Sequence, residues 1–228
     1  MALTLYFHPL SSFCHKVLIA LYEKDIAFTA KLIELNDPGA RAAFLKLWPT
    51  GKIPLLLDDS NARVVPETTI IIEYLDQHYT GARPLLPQDG AALLDARLWN
   101  RLFDLYVMMP MQKVVGDRFR AEGQHDPAGV AEAIATLRMA YGMIEQHMAN
   151  RTWAAGGEFS IADCSAAPSL FYASIVEPLA PAHARLADYF ERLLRRPSVK
   201  RTLAEARPWF HLFPLKDSIP ARFLADQT

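Results

Sequence analysis

Residues 3–23 read LTLYFHPLSSFCHKVLIALYE, and their pattern decides the fold of the first third of the chain. A short β-pattern over residues 3–7 breaks at His8-Pro9. An apolar run with helical spacing then follows at Val17, Leu18 and Leu21. Ser11, Ser12 and Cys14 fall where strand becomes helix. A hydroxyl or thiol there sits at the positive end of the helix dipole, beside N–H groups with no partner inside the helix, which suits it to holding a thiolate or another anion. Plain N-capping by serine accounts for the same pattern without any chemistry.

Working outward, residues 28–34 form a second strand pattern, and Asn36-Asp37-Pro38-Gly39 turns into a helical stretch at 40–47. Leu55-Leu56-Leu57, the turn Asp58-Asp59-Ser60-Asn61 and residues 63–65 read as a hairpin. A helix then starts at Glu67-Thr68-Thr69, with Ile70, Ile71, Tyr74 and Leu75 at helical spacing. The order βαβαββα predicts one mixed sheet with helices on both faces. Pro54 opens a strand after a Gly-Lys loop, and pattern alone predicts a trans Ile53-Pro54 bond. A cis bond there would instead turn the backbone of Ile53 toward an extended peptide, which could pair with it like an added strand. Glu67-Thr68 reads by default as a helix cap. A helix N-terminus with a hydroxyl can also accept a carboxylate, while Glu67 can pair with an ammonium group.

The stretch YTGARPLLPQD at 79–89 is rich in turn-formers, and no strand pattern recurs after it. The predicted organisation is a sheet domain over 1–79, a linker at 80–90 and an all-helical domain over 91–228. Leu94, Leu98, Leu102, Leu105 and Met109 mark a long amphipathic helix with a kink near Met109, ahead of Pro110. Val130, Ile134, Leu137, Tyr141, Ile144 and Met148 stripe the next helix, and Leu186, Tyr189, Phe190, Leu193 and Leu194 another. Between them, FSIAD at 159–163 is a capping box with Asp163 at the position usually held by Glu or Gln, worth about 1 kcal/mol locally.

The 228 residues are 51% apolar, enough for a sizeable core, and 24 basic against 25 acidic residues leave a net charge of −1 with no block of one sign. Neither nucleic acid nor an anionic membrane is an expected partner. No apolar run approaches the roughly eighteen residues of a membrane span. Two distant cysteines and an N-terminus without a basic, apolar leader pattern predict a reduced, cytoplasmic protein, and the seven histidines show no metal-ligand spacing.

Ser11-x-x-Cys14 stands where a redoxin carries Cys-x-x-Cys, and the turn resembles that of cytosolic glutathione transferases of the serine type. FLKLWPTGKIP at 44–54 and VPETTIIIEYL at 65–75 are similar to two further signatures of that family, and the 160–163 box matches the one that starts its buried sixth helix. The resemblance covers essentially the whole chain. It implies a thioredoxin-like domain followed by a helical one, with glutathione as co-substrate and no metal. Ser11 would activate the glutathione thiol, Ser12 beside it would help bind glutathione, and Ile53 would pair with the cysteinyl unit ahead of a cis Pro54. Glu67 and Thr68 would clamp the γ-glutamyl end, and Lys52 would meet the glycyl carboxylate. Tyr106, Met108 and Met109 would line an apolar pocket for a small electrophile, and a homodimer would pair the third and fourth helices, bringing Asp104 toward a ligand amine across the interface. Two features depart from the pattern. The serine is doubled, so either hydroxyl could be the active one, with the spacing to Cys14 and to the helix start favouring Ser11; and His15-Lys16 replaces the Trp-Arg pair of the family's maleylacetoacetate isomerases, so the class stays open.

The expected function is activation of the glutathione thiol for attack on an apolar electrophile. The rivals are a thiol reductase or peroxidase using Cys14, and a binding protein without catalysis. Cys14 reads as a small packing residue about one helical turn in, and His15 as a solvated or interdomain histidine.

Overall fold

The computed structural model describes residues 3–34 and 37–224. The first strand, β1 (Leu3–Phe7), is followed by α1 (Ser12–Glu23), β2 (Thr29–Leu32), α2 (Pro38–Leu47), β3 (Leu55–Asp58), β4 (Arg63–Pro66) and α3 (Thr68–His78), which is the predicted βαβαββα order. The sheet order is β2-β1-β3-β4, with β2 parallel to β1 and the two hairpin strands antiparallel. Alternation along β1 sorts the two faces. Leu3 and Leu5 pack with Val17, Leu18 and Leu21 of α1 and Ile71 and Leu75 of α3. Tyr6 faces the other way, onto Phe44 of α2 and Leu55. Helix α2 begins earlier than its apolar pattern suggests, because Asp37 caps it, accepting from Ala40 N at 2.6 Å, and Pro38 supplies a preformed first turn. Asn36 of the expected turn lies outside the described residues. Asp58 closes the hairpin by accepting from Ser60 N at 3.0 Å and from the hydroxyls of Tyr74 and Tyr79 at 2.7 and 2.5 Å. Burial alone would raise its carboxyl pKa, but these and the Asn61 hydrogen bonds outweigh it and hold the group at about 2.

Residues 79–89 contain no helix or strand, yet they are tied down. Leu85 N and Leu86 N both donate to Asp76 Oδ2 at 2.8 Å, Lys24 pairs with Asp76 Oδ1 at 2.6 Å, and Gly81 passes so near Lys24 that an added Cβ would sit 2.6 Å from its carbonyl oxygen. The helical half comprises α4 (Gly90–Leu102), α5 (Met109–Asp117), α6 (Pro127–His147), α7 (Ile161–Val176), α8 (Ala184–Leu194) and α9 (Pro197–Ala206), followed by short 3-10 turns. Helix α7 is buried along almost its whole length, and its core continues into Ile19 and Ala20 of α1 and Ile72 of α3.

Two details of the helical half refine the sequence pattern. The interruption expected near Met109, ahead of Pro110, takes the form of a π turn over Phe103–Met108 that joins α4 to α5. Proline has no N–H to return to Tyr106 O, and the widened turn lets Met109 N reach back to Asp104 O instead. The leucine stripe also divides. Leu94 and Leu98 are 69% and 60% exposed, while Leu102 is buried with Ala96, Trp99 and Phe103 on the inner face. Among the described residues no helix is long and apolar enough to cross a membrane.

Candidate functional site

Strand register brings the site together. Tyr6 lies opposite Leu55 and Leu55 opposite Pro66, so the end of β1, the start of β3 and the end of β4 share one edge of the sheet. The β1–α1 turn, Ile53-Pro54 and Glu67-Thr68 are each the next residues along the chain from that edge.

The turn is built by short local bonds. Ser11 N donates to His8 O at 3.0 Å, Leu10 N donates to His8 Nδ1 at 3.2 Å, and the His8 ring meets Trp209 edge-on at 5.4 Å between centroids. Ser11 is the N-cap of α1: its Oγ accepts from Cys14 N at 3.3 Å, which leaves the hydroxyl proton to be donated elsewhere. The doubled serine divides by environment. Ser11 is half-buried, whereas Ser12 is buried, its Oγ accepting from Gln112 Nε2 of α5 at 3.1 Å. No sequence signal pointed to Gln112, which lies 100 positions away. Cys14 is fully enclosed, and burial pushes its thiol up to about 12 against weaker opposing hydrogen bonds from Ser11 and His8. His15 packs on Tyr172 of α7. Burial lowers its pKa to about 4, so the neutral ring donates Nε2–H to Pro9 O at 2.5 Å. It is the interdomain histidine of the two alternatives, with no solvent contact to act through.

The Ile53-Pro54 bond is cis, against the expectation from pattern alone and in line with the resemblance. Pro54 is buried, Ile53 half-buried and Lys52 exposed. Glu67 corrects the default capping reading: it holds the N-cap position of α3, yet its side chain makes no cap bond and it sits at φ 66°, ψ 123°. A non-glycine residue in that region costs on the order of 1–3 kcal/mol. Glu67 is exposed, and its carboxylate caps none of the first N–H groups of α3, beside the buried Thr68.

On the helical side the three pocket candidates separate. Tyr106 and Met109 are exposed at 45% and 48%, but Met108, between them in sequence, is fully buried in the core with Met111. Asp104 also differs from expectation. It does not face a second subunit's ligand but is buried, paired with Lys16 at 2.7 Å and accepting from Ser165 Oγ at 2.5 Å. A cavity of about 630 Å3 lies along α1 and β2 against α9, between Phe7, Tyr22, Phe28, Leu32 and Trp209, and none of the candidate residues lines it. Among the described residues no cluster of three His, Cys, Asp or Glu side chains could hold a metal ion.

The chain matches the glutathione S-transferase N-terminal domain family over residues 5–83 and the corresponding C-terminal domain family over residues 127–192. It belongs to the cytosolic glutathione S-transferase superfamily. Its relatives include the glutathione S-transferase-like protein LUC7 of a Fusarium species, 30% identical over 66% of each chain, and glutathione S-transferase U25 of Arabidopsis thaliana, 27% identical over 90% of each. A glutathione S-transferase from Methylobacillus flagellatus, solved with glutathione bound, is 28% identical and superposes with a TM-score of 0.79 over 88% of this chain and 98% of that one. The thioredoxin-like domain followed by a mostly helical one is thus the family's fold, found here with Ser11, cis Pro54 and Glu67 at one sheet edge.

Proposed function

We propose that this protein is a glutathione transferase in which Ser11 stabilises the glutathione thiolate by hydrogen bonding. The observation that carries the reading is the position of the Ser11 hydroxyl, half-buried at the N-terminus of α1, where its oxygen accepts the capping bond and its proton is not used by that bond, at the same end of the sheet as a cis Ile53-Pro54 and the strained Glu67. No general base is needed. Lowering a thiol pKa by about two units is worth roughly 2.7 kcal/mol, within reach of one hydroxyl and a helix N-terminus. In this reading the backbone of Ile53 pairs with the cysteinyl unit, and Glu67 meets the γ-glutamyl ammonium. Thr68 and the first N–H groups of α3 take its carboxylate, and Lys52 takes the glycyl one. Ser12, held by Gln112, supports the turn, and Tyr106 and Met109 face a small apolar electrophile. The enclosed, high-pKa Cys14 argues against the thiol-reductase alternative.

Glutathione binding is expected to depend more on Glu67 than on Ser11, because charge-assisted contacts are roughly twice as strong as neutral ones and the hydroxyl addresses only the sulfur. Calorimetric titration of Glu67→Ala and Ser11→Ala with glutathione compares them. Loss of binding in Ser11→Ala with retention in Glu67→Ala would reverse the two roles.

The reading includes a homodimer. Leu94, Leu98 and Leu105 along α4 and the π turn, with Ile70 of α3, leave an exposed aliphatic face that a second copy would cover. Light scattering is expected to give twice the monomer mass, and Leu98→Glu to shift it toward the monomer. A monomer mass at every concentration in the unmodified protein contradicts the dimer.

A further inference from the structure

We propose that Lys16 is a positioning residue that sets the electrophile side of the site against the glutathione side, a role that rests on the transferase reading above. Its side chain is wholly enclosed, and its Nζ donates to Asp104 Oδ2 at 2.7 Å and to Thr69 Oγ1 at 3.1 Å. The remaining Asp104 oxygen accepts from Ser165 Oγ, and Thr69 Oγ1 also accepts from Asn100 Nδ2 at 3.0 Å. Buried residues near these three in sequence, Ile19 and Ala20 on α1, Ile72 on α3 and Phe103 next to Asp104, belong to the apolar core that joins the two halves of the chain. In such surroundings desolvating two charges costs about as much as their attraction returns, so a well-packed apolar pair would hold the core at least as well. Stability therefore does not account for the ion pair.

What its members belong to does. Lys16 stands one helical turn beyond Ser12 on α1, the helix that carries the active hydroxyl. Thr69 follows Thr68 in the first turn of α3, at the glutathione clamp. Asp104 lies in the π turn, where its backbone oxygen takes the Met109 N–H that closes the widened turn ahead of Pro110. One residue thus anchors the π turn through its main chain and binds Lys16 through its carboxylate. The exposed side chains that this turn sets include the two electrophile-side candidates, Tyr106 and Met109. An apolar contact would tolerate sliding between these elements. A hydrogen-bonded ion pair with a second acceptor on α3 fixes one register.

The test compares glutathione with S-hexylglutathione by calorimetry on the full-length protein, since the hexyl chain reports the electrophile side relative to the glutathione side. The variant Lys16→Met with Asp104→Leu removes both charges and leaves neither unpaired. It is expected to bind glutathione as the unmodified protein does and to lose about tenfold of the affinity gained from the hexyl chain. Ser165→Ala keeps the ion pair, loosens Asp104 and is expected to move the ratio in the same direction by less, which preserves the test if the double variant does not fold. A general packing defect would weaken both ligands in proportion. Proportional weakening, or an unchanged ratio in the folded variants, overturns the role of Lys16 while leaving the transferase reading intact. Failure of the unmodified protein to bind either ligand overturns both.

Discussion

Replacing Ser11 by alanine is expected to lower conjugation of a generic electrophile such as an activated aryl halide by roughly ten- to a thousand-fold, and to raise the pKa of bound glutathione's thiol toward its free value. The size follows from the geometry. The hydroxyl is the donor at the end of α1 whose proton its own capping bond leaves uncommitted. Without it the thiolate keeps only the helix N-terminus. Alanine also removes one N-cap bond, worth about 1 kcal/mol, too little to unfold a domain and measurable separately by denaturation. Ser12→Ala is expected to fall short of the Ser11 effect, since Ser12 is buried and engaged by Gln112. Cys14→Ala should leave conjugation nearly unchanged. A redox enzyme acting through Cys14 would show the opposite pattern, with disulfide reduction lost in Cys14→Ala and kept in Ser11→Ala. Glutathione binding with neither activity in the unmodified protein would make the chain a binding module and end the catalytic role of Ser11.

How far the sequence could be read depended on whether a feature was local. The strand break at His8-Pro9, the helix that starts at Ser12 and the box at Ser160 and Asp163 are written within a few residues, and each is found in the structure. The cis bond before Pro54 is different, because the isomer is chosen by packing at the sheet edge and the dipeptide alone favours trans. Hydrophobic spacing gave the long fourth helix but not its direction. Leu94, Leu98, Leu102 and Leu105 recur as a core stripe would, yet only Leu102 is buried; the other three face out, and Ala96, Trp99 and Phe103 complete the inner face. Met108 came to the pocket through the family resemblance, which names a helix rather than the face each residue takes, and burial in the core removes it. Lys16, Gln112 and Asp104 could not be linked to anything by sequence, because their partners are contributed by other helices as far as 100 positions away.

The capping box supplies the largest expected effect on stability. Read locally, Ser160 and Asp163 satisfy two N–H groups at one helix end, a contribution of about 1 kcal/mol. The structure gives Asp163 a wider task. Its Oδ2 accepts from Ser160 N at 2.9 Å and Ser160 Oγ at 3.1 Å, while Oδ1 accepts from Ala154 N at 2.9 Å and Tyr189 O–H at 2.6 Å. One fully buried carboxylate thus ties together the loop before α7, the cap of α7 and helix α8. Removing it strands donors that no water reaches, each costing about 1–3 kcal/mol, so Asp163→Ala should lose on the order of 4–5 kcal/mol from a total of roughly 5–15 kcal/mol. Asp163→Asn keeps the shape but turns an amide N–H2 toward existing donors, and about 2–3 kcal/mol is expected. Ser160→Ala should cost about 1 kcal/mol, because Asp163 retains its other partners. Urea unfolding with an unchanged m-value separates the three, the midpoint falling in the order Ser160→Ala, Asp163→Asn, Asp163→Ala. Equal losses in Ser160→Ala and Asp163→Asn would reduce the box to an ordinary helix cap and remove Asp163 as the tie between α7 and α8.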